Sequence, residues 1–137
     1  MKTIHFLIAF AIAVAVASGR AEDIDTLPAQ GAAMSWLATV DSGAYGDSWD
    51  AGAEFFRKAV TKENWEKALV SVRAPLGNAR SRKIRSVTYA RSLPNAPEGE
   101  YVVIQYDTMF ENRPGVETVT PMREKDGAWK VAGYFIK

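Results

Sequence analysis

Apolar side chains recur at helical spacing up to residue 76 of this chain and alternate from residue 81 to its end. That change of period constrains the fold more than any other feature. In the first stretch Ala33, Trp36, Leu37 and Val40 mark one helical face. Pro28 suits the first turn of that helix, and Asp41-Ser42-Gly43 stops it, glycine being a favoured residue just past a helix end. A second stripe runs Trp49, Ala53, Phe56 and Val60, widened by Phe55 and Ala59. Thr61 can cap a third helix by accepting a bond from an amide near Asn64. The face of that helix is Trp65, Leu69, Val72 and Leu76, and Pro75 with Gly77 ends it.

The second half predicts four strands, over 84–91, 101–110, 116–124 and 129–136. Val102, Ile104, Tyr106, Thr108 and Phe110 share one face of the second strand. Pro121 implies an edge position or a bulge in the third. Pro94 to Gly99, Asn112-Arg113-Pro114-Gly115 and Asp126-Gly127 supply the turns. Short turns make successive strands antiparallel, because parallel pairing needs long crossovers. Helices followed by such a meander give an α+β class: N-terminal helices packed on a C-terminal four-stranded antiparallel sheet. In the last strand Trp129, Val131 and Phe135 point one way and Ala132, Tyr134 and Ile136 the other. A strand apolar on both sides is usually covered on both. With Tyr101, Val103 and Met109 on the second face of their strand, this raises homodimerisation as a candidate arrangement.

The N-terminus reads as a secretory signal peptide over residues 1–21. Lys2 precedes an apolar run over 4–17, then Ser18-Gly19-Arg20-Ala21 and an acidic start at Glu22-Asp23. The run is shorter than the ~20 apolar residues of a spanning helix; the competing reading is an uncleaved anchor. Gly19 and Ala21 set cleavage between Ala21 and Glu22, preferred over a cut after Ala17 because the segment before the cut should be more polar than the apolar core. The expected product is a single domain over 22–137, exported to the periplasm or secreted, meeting the membrane only through its leader. Removing 21 of the 137 residues leaves 116, with 15 of the 17 basic side chains against 16 acidic ones. That near-zero charge, with export, argues against nucleic acid as a partner. A chain of this size can bury roughly two-thirds of its unfolded surface, which it must do without disulfides, since it has no cysteine.

Loss of the leader removes His5, the only histidine. The expected mature chain then has neither imidazole nor thiol. Ser-His-Asp and Cys-His catalysis, and zinc, copper or iron–sulfur sites built on those ligands, are excluded. No phosphate-cradling glycine loop is present, and the acids lack EF-hand spacing, so neither cofactor nor metal is expected. Carboxylate and tyrosine chemistry survives: Asp41, Asp47, Asp50 and Glu54 cluster in the helical half and Asp107 lies beside Gln105, and one such Asp could act with Tyr89, Tyr106 or Tyr134 across a pocket between helices and sheet. Against this stands the ordinary supply of such residues in any helix–sheet domain.

Between Glu66 and Glu98 no acid occurs, while Lys67, Arg73, Arg80, Arg82, Lys83, Arg85 and Arg91 do. Arg73, Arg80, Arg82 and Arg85 are therefore candidate anion contacts, arginine being suited to bidentate contact with carboxylate or phosphate. The alternative is pairing with the acid-rich helical half. Trp36, Trp49, Trp65 and Trp129 fall on apolar stripes or open a strand, which reads as core packing rather than an aromatic ligand box.

Several segments occur in an order that resembles a known family. These are Ser35-Trp36-Leu37, Val40 through Tyr45, Ser48-Trp49, Arg73 through Gly77, Gly99 through Ile104, Glu117 through Pro121 and Gly127 through Tyr134. The chain resembles the domain-of-unknown-function 4019 family of short exported bacterial proteins over nearly all of its mature length. The resemblance implies a cystatin-like or NTF2-like cone and no assigned activity. One departure is Asn95, where the family usually carries glycine, which affects the turn alone. The leading expectation is a non-enzymatic envelope domain that binds a small ligand or an envelope protein. The alternatives are an NTF2-like pocket enzyme of isomerase or dehydratase type using Asp and Tyr, and an assembly role through homodimerisation.

Overall fold

The computed structural model describes residues 24–137; the expected leader, its expected Ala21–Glu22 junction and His5 lie outside the described residues. Helices α1 (Leu27–Asp41), α2 (Tyr45–Asp50), α3 (Glu54–Ala59) and α4 (Lys62–Arg73) precede strands β1 (Ala79–Ala90), β2 (Tyr101–Phe110), β3 (Pro114–Arg123) and β4 (Trp129–Ile136). The strands pair antiparallel in the order β1-β2-β3-β4, the meander expected from the short turns.

Pro28 lies in the first turn of α1, and Gly43 follows its end at φ 83°. The second apolar stripe is two short helices rather than one. Gly52 separates them, with the Phe56 ring folded so close that a Cβ on Gly52 would lie 2.5 Å from it. The Ala53 amide then bonds the Val131 carbonyl at 2.8 Å, tying the start of α3 to β4. Thr61 caps α4 by accepting from the Asn64 amide at 3.2 Å.

α1 buries Ala29, Ala33, Trp36, Leu37 and Val40 against β3 and β4. The Trp36 ring meets Tyr134 edge-on at 5.1 Å and Trp65 at 6.1 Å, while Trp65 meets Phe56 edge-on at 4.7 Å. Buried indoles need a polar partner, and each of these finds one. Trp36 donates to the Ser48 carbonyl, Trp65 to the Ser48 hydroxyl, and Trp49 to the Val60 carbonyl. Trp36 and Trp65 belong to the core and Trp49 packs against it, partly buried, which is core packing and not a ligand box.

Cross-strand register sorts the sheet into rows. On the inner face, which α1 covers, Ile84, Tyr106, Glu117 and Ile136 form one row, and Val87, Ile104, Val119 and Tyr134 the next. On the outer face Ser86, Gln105, Thr118 and Phe135 form a row. Lys83, Asp107 and Val116 form another, which Lys137 extends through paired main-chain bonds with Val116. β1, an edge strand, changes register at Arg80 and again at Arg85. The β3–β4 register slips at Thr120/Pro121, so Val131 stands opposite Pro121. Simple alternation over the last strand therefore does not hold: the slip puts Val131 on the inner face while Phe135 keeps to the outer one.

The 91–100 loop folds over one end of the outer face. It buries Leu93 and the whole of Tyr101, whose hydroxyl donates to the Pro97 carbonyl. Asn95 in this loop takes φ 60°, the left-handed region that glycine and asparagine tolerate best. Among the described residues the other end of the outer face has no such cover.

Candidate functional site

Two regions gather polar chemistry. The first is a closed ionic cluster on the inner face. Glu117, fully buried, accepts from Arg82 Nε at 2.7 Å and from the hydroxyls of Thr108 and Tyr134. Arg82 turns its other two nitrogens to Asp41, at 2.9 and 3.1 Å, and Arg73 Nη2 reaches the same carboxylate at 2.9 Å. Arg73 itself is 5% exposed, its guanidinium 5.1 Å from the Phe110 ring centre. Six elements meet here: α1, α4 and all four strands.

The electrostatics are self-consistent. Asp41 closes α1, where the helix dipole disfavours a negative charge. Burial works to raise its carboxyl as well, but hydrogen bonds and charge from Arg82 and Arg73 outweigh it and hold the group below its ordinary 3.8. Burial alone would lower Arg82, yet its bonds to Asp41 and Glu117 keep it firmly charged. Burial raises Tyr106 to about 12, helped by Glu117 and opposed by Arg82. Burial first, then the Glu117 charge, pushes Tyr134 well above the ordinary phenol range. The Glu117 carboxylate is thus engaged by three donors and sealed from solvent. Among the described residues the buried hydroxyl of Tyr106 has no hydrogen-bond partner, nor do Arg73 Nε and Nη1.

The second region is a groove of about 460 Å³ on the uncovered end of the outer face. Met109, Pro114 and Val116 supply its apolar lining, with Lys83, Asp107 and Lys137 around it. Met109 is 51% exposed, and Ile84 on the β1 edge 52%. Another groove, of about 780 Å³, lies among charged residues of both signs, including Arg91, Glu98, Glu100, Arg123 and Lys125, and Arg123 and Glu100 pair within it at 3.2 Å.

The candidate residues divide between these regions. Arg73 and Arg82 are buried in the ionic cluster, paired with Asp41 and Glu117. Arg80 and Arg85 are exposed at the two register changes of β1, and Arg85 lies 3.5 Å from Asp107. Tyr106 and Tyr134 face inward, whereas Asp107 faces outward, so the sheet separates Asp107 from the phenols; Asp41 lies on the inner side, held by Arg73 and Arg82. Sequence reasoning missed Glu117, the hub of the cluster. Its signal was a lone acid at an inward position, with a barren stretch of arginines to answer it. Among the described residues no group of three His, Cys, Asp or Glu is placed to hold a metal ion.

The family model described as "Protein of unknown function (DUF4019)" matches residues 32–134. The chain belongs to this family. The DUF4019 match takes in α1 from its second turn through most of β4, and so contains both the ionic cluster and most of the outer groove. No curated protein and no solved structure matches the chain.

Proposed function

We propose that this DUF4019 protein is an exported, non-enzymatic binding domain of the cell envelope. It meets its ligand or protein partner with the outer face of its sheet. One observation carries this reading: the acids and phenols of the inner face are committed to one another or buried, while the outer face keeps an open groove beside the half-exposed Met109. A catalytic acid must reach its substrate. Glu117 is sealed, and Asp107 stands across the sheet from Tyr106 and Tyr134. Exposed apolar surface with a polar rim is the usual mark of an interaction site. In this reading the helix-on-sheet arrangement is a cystatin-like or NTF2-like cone whose interior is filled. A second copy seated on the same face is the alternative occupant, favoured by the same exposed Met109.

Native mass spectrometry of protein isolated from the periplasm tests the proposal. The chain should begin at Glu22 and carry a companion, either a small molecule or a second copy, that Met109→Glu strips away. A bare monomer in the wild type, or a companion indifferent to Met109→Glu, would overturn it.

A further inference from the structure

We infer that the outer groove takes a single-chain anionic amphiphile, an alkyl carboxylate, with its chain along Met109, Pro114 and Val116 and its head at Lys83. This rests on the outer-face reading above and gives its ligand a chemistry.

The register places these groups together. Ser81 pairs with Met109, and Met109 with Pro114; in the next row Lys83 pairs with Asp107, and Asp107 with Val116. Val116 and Lys137 exchange two main-chain bonds, at 3.0 and 2.9 Å, which sets the Lys137 side chain on the same face as Val116. An apolar strip thus runs between two lysines, one on the edge strand and one beyond the end of β4. Both lysines are exposed, and neither has an ion-pair partner among the described residues. The one side-chain carboxylate in the groove, Asp107, lies 3.5 Å from Arg85, which offsets its charge. The α-carboxylate of Lys137 offsets that residue's own ammonium, which leaves Lys83 as the unbalanced positive charge at the rim.

Shape and surface agree with charge. A groove of about 460 Å³ lies within the usual range of small-molecule sites, roughly 300–1,000 Å³. Methionine, flexible and polarisable, adapts to an alkyl chain better than a branched side chain would. Lysines with flexible stems can hold their ammonium groups over apolar surface and close on a head group. An extended acidic peptide added to the β1 edge fits less well, because strand addition needs a regular edge, and β1 breaks its register at Arg80 and Arg85.

The test is a titration of the full mature chain, labelled at methionine methyls, with dodecanoate below its micelle concentration. Dodecanol and acetate serve as the uncharged and chainless controls. The Met109 methyl should shift saturably while Met34, equally exposed on α1, stays still. Dodecanol should bind at least about fivefold more weakly, and Lys83→Gln should weaken dodecanoate about threefold to fivefold, as for an exposed charge pair. Acetate should leave Met109 unmoved. Failure of dodecanoate to shift Met109, equal shifts at Met34, or equal binding of dodecanol would each overturn the inference. If dodecanoate fails but the periplasmic companion still depends on Met109, only the amphiphile is discarded and the outer-face reading stands. If both fail, both fall.

Discussion

At the scale of single residues, Glu117 is the side chain on which most depends. Its carboxylate has no exposure and is engaged by Arg82, Thr108 and Tyr134. Removing one partner of a buried pair leaves the other charge stranded, which costs about 3–5 kcal/mol. Glu117→Gln should therefore lower urea-unfolding stability on the order of 3 kcal/mol. In an Arg82→Met background the same change should cost at least ~1 kcal/mol less, because contacting groups couple. An unchanged cost would show that the two side chains do not act together. The phenols give a second residue-scale prediction. A tyrosine raised by folding contributes stability that is fully present below its ordinary 10 and is lost as pH rises through its folded value, about 12 for Tyr106. Urea midpoints should hold steady up to pH 10 and then fall, and Tyr106→Phe should remove part of that fall. Asp41 acts at the other end. Its lowered carboxyl contributes stability above 3.8 that disappears as pH drops through the lower folded value.

At the scale of elements, much of the fold was legible in local chemistry. The Thr61 cap, the Pro28 first turn and the 101–110 strand come from signals that act within a few residues. What local pattern could not supply was the break at Gly52, set by the Phe56 ring packing on its backbone, and the register slip opposite Pro121. The inner cluster was hidden for the same reason. Asp41, Arg73, Arg82 and Glu117 are brought together by register and helix placement, not by spacing along the chain. Two glycines test the account of the elements with opposite signs. Gly77 has φ 76°, and a Cβ there would lie 2.8 Å from Glu111 Cβ, so Gly77→Ala should cost about 1–2 kcal/mol or more. Gly31, in α1 with open space around it, should instead gain about 0.5–1 kcal/mol as alanine. Chemical denaturation of the pair checks both. Thr61→Ala should cost about 1 kcal/mol through its lost cap.

At the scale of the whole molecule, the sheet has one face committed to folding and one that the proposed function puts to use. Helices and the ionic cluster cover the inner face except at Ile84 on the β1 edge, and the 91–100 loop covers one end of the outer, leaving the groove at Met109. Composition alone could not distinguish these faces, because the arginines suggested as a single patch are split between them. Arg73 and Arg82 serve the interior, while Arg80 and Arg85 sit on the edge strand. Hydroxyl-radical footprinting of the protein in intact cells, in the periplasm where we propose it resides, compared with the purified chain, tests the division directly. Met109 and Met34 are matched reporters, 51% and 48% exposed in the bare chain. Oxidation of Met109 should fall several-fold in the periplasm while Met34 keeps its purified rate. Protection of Met34 with Met109 unchanged, or of neither, would contradict the outer face as the working surface.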